Sequence, residues 1–169
     1  MDLRYKRTEE FIRQAVLELG AKKDVYSLTV SEIAMKAKIS RIAFYDHYDN
    51  AEALLEVMEN EMIDDYIKQV GPYSDFLTDP LKIIRRVMNY YENQRYSPLV
   101  NSSRAANLTT KTVDRIIDEI MKASGNNSDS FRLKVTFAIT GILGAFRSQC
   151  ITNDNAMEDI ARYVKLVLQ

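Results

Sequence analysis

The chain has 169 residues, enough for one sizeable core or for a small domain joined to a larger one. Its formal charge of −1 argues against a non-specific nucleic-acid binder, because such proteins are strongly basic. A single cysteine, Cys150, excludes a disulfide framework and a metal site of the CxxC kind. We expect Cys150 to be a buried small hydrophobic residue, with a redox-active or ligand-contacting thiol as the alternative.

The sequence predicts neither export nor membrane insertion. Residues 1–13 are highly charged, unlike a secretory signal peptide. The longest apolar stretch, residues 135–146, falls well short of the roughly 20 residues that span a bilayer. We therefore expect a cytoplasmic protein with no membrane partner.

The first predicted helix has one apolar face and ends at Gly20. Its apolar residues are Phe11, Ile12, Ala15, Val16 and Leu19. We expect this helix to pack across the elements that follow it. Arg4, Lys6 and Arg7 precede that face and are predicted to form a basic N-terminal arm.

Two short helices joined by a tight turn come next. Thr29 and Glu32 form a capping box, so a helix begins near Val30. A new start signal at Ser40 predicts a second short helix over residues 41–47. Helices so close together must cross steeply, as in a helix-turn-helix whose second member enters the major groove.

The side chains of this segment divide into two faces. The inward face is predicted to hold Ile33, Ala34, Ala37, Phe44 and Tyr48, with Ile39 filling the turn. The free face of the second helix holds Arg41, Ile42, Ala43 and Tyr45, followed by His47.

This pattern resembles the tetracycline-repressor (TetR/AcrR) family of bacterial transcription regulators. Members typically carry a Thr-capped helix ending in Ile-Ala-x-x-Ala, an aliphatic residue and Ser at the turn, an aromatic-Tyr-x-His-aromatic stretch and a Leu-rich helix. The matching residues are Thr29, Ile33, Ala34, Ala37, Ile39, Ser40, Phe44, Tyr45, His47, Tyr48, Leu54 and Leu55. The resemblance implies an all-α fold with an N-terminal three-helix domain and a C-terminal helical bundle for ligand binding and dimerisation.

We assign the DNA contacts from the free face of the second helix, the basic arm and the resemblance. The assigned residues are Arg4, Lys6, Thr29, Ser31, Ser40, Arg41, Ile42, Ala43, Tyr45 and His47. Two positions depart from the family pattern. Lys38 stands where the family usually has a glycine, and Ala51 stands where a lysine commonly clamps a phosphate. We therefore expect one phosphate contact to be missing.

A longer helix is predicted over residues 50–70, stopped by Gly71-Pro72. One of its sides carries Leu54, Val57, Met58, Met62 and Ile67. We divide the chain into a helix-turn-helix domain over residues 1–50 and a regulatory and dimerisation domain over residues 51–169, with this helix linking both.

The remaining chain reads as helical throughout. Asp79-Pro80 and Ser97-Pro98 mark helix starts, and the apolar spacing over residues 113–121 predicts another helix. The helix over residues 131–151 is apolar on every side, whereas that over residues 154–168 has one apolar stripe.

The last two helices predict a subunit contact. In the resembling family two such helices from each subunit form a four-helix dimer interface. We assign Gly141, Gly144, Ile160, Val164 and Leu168 to it. The alternative is that the two glycines only relieve crowding inside the core.

A ligand pocket is predicted mainly from the resemblance. Its candidate residues are Met88, Tyr91, Tyr96, Met121, Phe137 and Phe146. Aromatic and methionine residues at helical spacing are also typical of a simple core, and the sequence does not identify an effector.

The sequence favours a ligand-responsive transcription regulator that binds a palindromic operator in double-stranded DNA as a homodimer. Repression is expected because it is the family's commoner mode. No cofactor and no catalysis are expected, since the single histidine lies in the DNA-reading motif and no phosphate loop or nucleophile elbow is present. Asp46 and His47 are adjacent and point in different directions on a helix, so they do not predict a metal site.

One alternative keeps the fold and changes the function. A ligand-sensing co-regulator that no longer binds DNA would act through a partner regulator. Ala51, Asp46 and the near-neutral N-terminal 50 residues, with nine basic and eight acidic side chains, favour this interpretation.

Overall fold

The structure is a computed structural model that describes residues 3–92, 94–151 and 153–169, without the side chains of residues 91, 92 and 94. This part of the chain forms ten α-helices and no β-strand. The helices are α1 (Leu3–Gly20), α2 (Val30–Ala37), α3 (Arg41–Tyr45), α4 (Ala51–Val70), α5 (Asp75–Thr78), α6 (Pro80–Glu92), α7 (Ser97–Val100), α8 (Ala105–Ser124), α9 (Asp129–Arg147) and α10 (Asp154–Leu168). The predicted all-α fold is confirmed.

The chain divides into two compact units. The first consists of the chain up to Met62 and of Gln94–Thr109, and the second of the remainder. Helix α4 thus begins in the first unit and ends in the second. This division differs from the predicted boundary at residue 50, because the start of α4 and the distant segment over residues 94–109 both belong to the first unit.

The core of the first unit is built from one apolar face of each of its helices. Helix α1 packs against α2, as predicted. Fully buried side chains come from α1, α2, α3 and α4, namely Ile12, Val16, Ile33, Phe44, Leu54 and Met58. Two predicted core residues are instead exposed: Phe11 by 47% and Val57 by 37%. Both lie at the edge of their helix's apolar face, where the neighbouring helices do not cover them.

Polar contacts attach residues 94–109 to this unit. The Arg104 guanidinium lies 2.8 Å from the Glu52 carboxylate and 4.5 Å from the centroid of the Tyr26 ring. The Tyr26 hydroxyl donates to the carboxylate of Glu59, which is buried. Burial and this hydrogen bond raise the pKa of Tyr26. These partners are far apart in sequence, so helix periodicity gives no sign of them.

The second unit has its own apolar core around α6, α8, α9 and α10. The most buried side chains in it are Phe76, Ile84, Ile120 and Val135. Arg86 connects α6 to the end of α4, because its guanidinium donates to the Val70 carbonyl at 2.7 Å and to Asp75 at 2.8 Å. Orphan carbonyls at a helix end are commonly satisfied by such a cationic side chain.

The end of α9 differs from the prediction. The helix was expected to continue to residue 151 but ends at Arg147, and Gln149 then adopts a left-handed conformation with φ of 54°. Cys150 lies beyond this end and is exposed, so the prediction of a buried cysteine is wrong. The chain leaves the helix before Cys150 and carries its side chain away from the core.

Candidate nucleic-acid interface

The start of α2 is held by a reciprocal capping box. The Thr29 hydroxyl accepts a hydrogen bond from the Glu32 backbone N–H at 3.3 Å, and the Glu32 carboxylate accepts from the Thr29 N–H at 2.9 Å. The Thr29 hydroxyl also donates to the Glu32 carboxylate at 2.8 Å. Thr29 therefore already has local partners, while Ser31 in the first turn of α2 is exposed.

Lys23 completes this helix start. Its ammonium lies 2.6 Å from the Glu32 carboxylate. The hydrogen bond from Lys23, and then those from Thr29, lower the pKa of Glu32 to about 2. The carboxylate is thus ionised at neutral pH and stabilises the N-terminus of α2.

The turn between α2 and α3 contains a residue in the left-handed conformation that is not glycine. Lys38 has φ of 58° and ψ of 41°, and its N–H bonds to carbonyls of the last turn of α2. The Ile39 N–H donates to the Ala34 carbonyl at 3.0 Å and tightens the same turn. A side chain in this conformation costs roughly 1 to 2 kcal/mol. The chain therefore keeps the geometry that glycine usually provides, with a lysine in its place.

Helix α3 is short and capped by Ser40, whose hydroxyl accepts from the Ala43 N–H at 3.0 Å. The helix ends at Tyr45, two residues before the predicted end at His47. The N–H groups of His47 and Tyr48 both turn back to the carbonyl of Phe44. His47 therefore lies in a tight turn after the helix.

Exposure along α3 follows the predicted division of faces. Phe44 is fully buried and anchors the helix in the core, whereas Ile42 is 76% and Tyr45 48% exposed. Arg41 is also exposed, and Ala43 is half-buried. The outward position of Arg41, Ile42 and Tyr45 is confirmed, and their contact with DNA stays a prediction.

His47 has a neighbour that the sequence did not indicate. The Tyr5 ring of α1 stacks on the imidazole with centroids 3.9 Å apart. The Nδ1 atom of His47 is buried and has no hydrogen-bond partner among the described residues. Tyr5 thus orients the histidine, and the only sequence signal for it was an aromatic residue placed among charges at the start of α1.

The basic arm is part of a helix. Arg4 and Lys6 are exposed as predicted, but α1 already begins at Leu3, so they belong to its first turns and do not precede it. The correction has a local reason, since the polar residues of this segment favour a helix that continues from the apolar face.

The first turn of α4 has an amide cap and no cation. The Asn50 side-chain oxygen accepts from the Ala53 N–H at 2.8 Å, and Ala51 is half-buried. Just before it, Tyr48 is buried, its hydroxyl has no partner among the described residues, and burial raises its pKa to about 12. The burial of Tyr48 supports the packing role assigned to it.

The predicted dimer residues divide between a core and an exposed face. Val164 is only 3% exposed and belongs to the core of the second unit, with Ile160 and Leu168 packed against it. Assigning Val164 to the interface is therefore wrong. Gly141 and Gly144 are exposed, and a Cβ added at either would meet no atom within 4 Å. The alternative that these glycines relieve crowding in the core is contradicted.

The face of α9 that carries these glycines is apolar. Leu133 is 71% and Phe137 67% exposed, and the spacing of residues 133, 137, 141 and 144 places them along one side of the helix. Val135, Ala138, Ile139 and Ile142 line the opposite, buried side. The predicted two-sided apolar character of this helix is thus confirmed. Helix α10 also exposes Tyr163 and Leu166.

The predicted pocket residues do not form one group. Phe137 lies on the exposed face of α9, so placing it in a pocket wall is wrong. Met121 is buried in the core of the second unit, and Tyr96 belongs to the first unit. Met88 and Phe146 are half-buried in the second unit. The side chain of Tyr91 lies outside the described part of the chain.

Two further searches concern other kinds of site. Within the described residues, no three His, Cys, Asp or Glu side chains are grouped as metal ligands would be. In the same part of the chain, no helix combines the length and the hydropathy needed to cross a bilayer.

Comparison with known proteins agrees with the geometry of the first unit. Residues 12–58 match the family model described as "Bacterial regulatory proteins, tetR family". A 59-residue segment is 44% identical to the "Uncharacterized HTH-type transcriptional regulator YxbF" of Bacillus subtilis (strain 168). This segment covers 34% of the present chain and only 16% of that regulator.

A solved structure is similar over almost the whole chain. The "Dihydroxyacetone kinase operon activator DhaS" superposes with a TM-score of 0.60, covering 95% of this chain and 94% of that one. Sequence identity between the two is 19%, so this similarity establishes a common fold.

Proposed function

We propose that this chain is a TetR-family transcriptional regulator of the helix-turn-helix type and that it binds a palindromic operator as a homodimer. In this proposal α3 is the recognition helix and reads base edges in the major groove. The regulator acts in the cytoplasm, and we keep repression as the expected direction of regulation. The proposal includes no catalytic step.

The exposed face of α3 is the observation that carries this proposal. The buried Phe44 and the Ser40 cap hold the helix in one orientation, in which Arg41, Ile42 and Tyr45 face outward. An arginine can bond both acceptors of a guanine, an isoleucine can contact a thymine methyl group, and a tyrosine hydroxyl can donate to a phosphate. The three side chains together supply both base readout and backbone contact.

Dimerisation is proposed through the exposed apolar face of α9. Leu133 and Phe137 are unusually exposed for large apolar side chains, and surfaces of this kind commonly mark protein contacts. The open surroundings of Gly141 and Gly144 permit close approach of a second helix. A dimer also doubles the number of DNA contacts, which matters because the first 50 residues carry a net charge of only +1.

The mechanism follows from symmetry. Two recognition helices lie in successive major grooves, about 34 to 36 Å apart, and read the two halves of a palindrome. An effector bound in the second unit, near the half-buried Met88 and Phe146, would favour a spacing that no longer fits. A coupling free energy of about 1 to 3 kcal/mol changes operator affinity severalfold or more.

The test is selection of bound DNA from a random pool with the purified full chain. Enrichment of a palindrome with half-sites about 10 base pairs apart supports operator binding and two-fold symmetry together. A reporter gene placed behind the enriched site then measures the direction of regulation. Failure to enrich any sequence by a folded dimer would reject operator binding and favour the co-regulator that acts through a partner.

A further inference from the structure

An open groove of about 670 Å³ lies in the first unit between α1 and the turn of the helix-turn-helix. Its charged side chains are Arg4, Arg7, Lys36, Lys38 and Glu18. Four cations and one carboxylate give the groove a net formal charge of +3. That excess stands out because the first 50 residues as a whole are nearly neutral.

Among the described residues, the single carboxylate of the groove forms an ion pair with one of its cations. Glu18 lies 2.5 Å from the Lys36 ammonium and also accepts a hydrogen bond from Gln14. These hydrogen bonds lower the pKa of Glu18, so it is fully ionised at neutral pH. The charge of Lys38 is not part of this ion pair, and together with the positive lining of the groove it creates a potential that attracts an anion.

Lys38 is the residue in this groove that has a conformational cost. It is exposed, has no ion-pair partner among the described residues, and holds the left-handed conformation that glycine adopts freely. Strain of this kind is found more often at functional sites, and at Lys38 it coincides with a positively charged groove. A glycine would keep the turn at lower cost but would remove the charge.

We propose that this groove contacts the DNA backbone and that Lys38 binds a phosphate there, replacing the contact that is missing at Ala51. The inference rests on the proposed operator binding. Lys38 lies three residues before Arg41 in the chain, so a phosphate that it contacts is close to the base that α3 reads. Phosphate contacts of this type fix the register of a recognition helix without reading sequence.

The experiment compares Lys38→Gly, Lys38→Asn and Lys38→Arg with the wild-type chain on the selected operator. Lys38→Gly is expected to raise the midpoint of thermal unfolding by about 2 to 4 °C and to lower operator affinity about three- to tenfold. The slope of log affinity against log salt should become shallower by about 0.9 for each bound subunit. Asparagine tolerates the left-handed conformation, so Lys38→Asn should show the same change in slope. Lys38→Arg keeps the charge and should keep the wild-type slope.

Gln149 provides a matched control for the backbone effect. It has φ of 54°, almost the same strain, but lies in the second unit after α9. Gln149→Gly should raise thermal stability to a similar extent and leave operator affinity and salt slope unchanged. The pair of glycine variants therefore separates relief of strain from loss of a phosphate contact.

Three outcomes would overturn the inference. An unchanged salt slope in both Lys38→Gly and Lys38→Asn, with normal binding by the wild type, rejects the phosphate contact and leaves operator binding intact. Lower affinity with an unchanged slope assigns the effect to turn geometry and rejects it as well. If the wild-type chain selects no DNA at all, the proposed function fails first and the inference fails with it.

Discussion

The two units of this protein expose surfaces of opposite chemistry. Around α3 the first unit presents the isolated apolar side chains of Met35 and Ile42 among cations such as Arg41 and Lys38. On α9 the second unit presents the large apolar side chains of Leu133 and Phe137 beside two exposed glycines. The first surface suits DNA, which offers charged phosphates and base edges, and the second suits another protein surface.

The largest expected effect comes from placing a charge on the apolar face of α9. Phe137→Glu should raise the dimer dissociation constant by about a hundredfold or more, because a carboxylate is costly to desolvate in an apolar contact. Gly144→Glu should act in the same direction, and the open space around Gly144 predicts a folded subunit. Sedimentation measures the assembly and thermal melting measures the fold.

The control is Asn127→Glu, which adds the same charge at an exposed position in the loop before α9. It should leave the assembly unchanged. A folded dimer in both Phe137→Glu and Gly144→Glu would show that this face is not the subunit contact. Operator affinity should decrease together with dimerisation, because one subunit makes few phosphate contacts.

The next largest effect concerns the readout by α3. Arg41→Ala should lower affinity and relax the preference at one base position by about 1 to 3 kcal/mol. Tyr45→Phe should weaken binding to all sequences alike, since a phosphate contact carries no sequence information. Competition with operators changed at single positions distinguishes the two patterns. Unchanged affinity in both variants, with the fold intact by circular dichroism, would exclude α3 from the groove.

A smaller effect is expected at the start of α4. Ala51→Lys should add a phosphate contact and steepen the log–log salt dependence by close to one unit for each subunit. In a Lys38→Gly background the same change should restore most of the lost slope. Titrations at several salt concentrations measure both variants. An unaltered slope in Ala51→Lys would mean that the first turn of α4 does not face the DNA backbone.

The smallest effect is a pH dependence at the capping box of α2. Because the folded protein lowers the pKa of Glu32 to about 2 from its ordinary value of 4.5, the ionised carboxylate stabilises the fold above pH 4.5. That contribution is lost as the pH falls from 4.5 towards 2. Glu32→Gln can keep the capping geometry but not the charge, so its deficit in unfolding free energy should shrink across this range. Urea unfolding measures it, with Glu10→Gln as the exposed control. A deficit that is constant with pH would contradict the role of the charge.

Much of the DNA-binding segment could be predicted because its signals are local. Thr29 and Ser40 each satisfy an N–H three residues onward, and such short-range bonds begin a helix wherever the sequence places them. The burial of Phe44 and the exposure of Ile42 follow from helical periodicity in the same way. Helix α3 ends two residues before its predicted end, and there His47 contacts Tyr5 of another helix, a neighbour that a local pattern does not reveal.

The sequence by itself determined the helical class, the capping pattern of the helix-turn-helix and the two apolar sides of α9, since each depends on residues within a few turns of one another. The tertiary structure decided which of those sides is buried. Val164 entered the core and Phe137 remained exposed because the packing of neighbouring helices selects one face. It also showed that Lys38 is held in a left-handed turn and lines the same groove as Arg4 and Arg7. The positive charge of this groove comes from α1 and from the end of α2 with its turn. It cannot be read from the linear sequence, because only the fold brings these segments together.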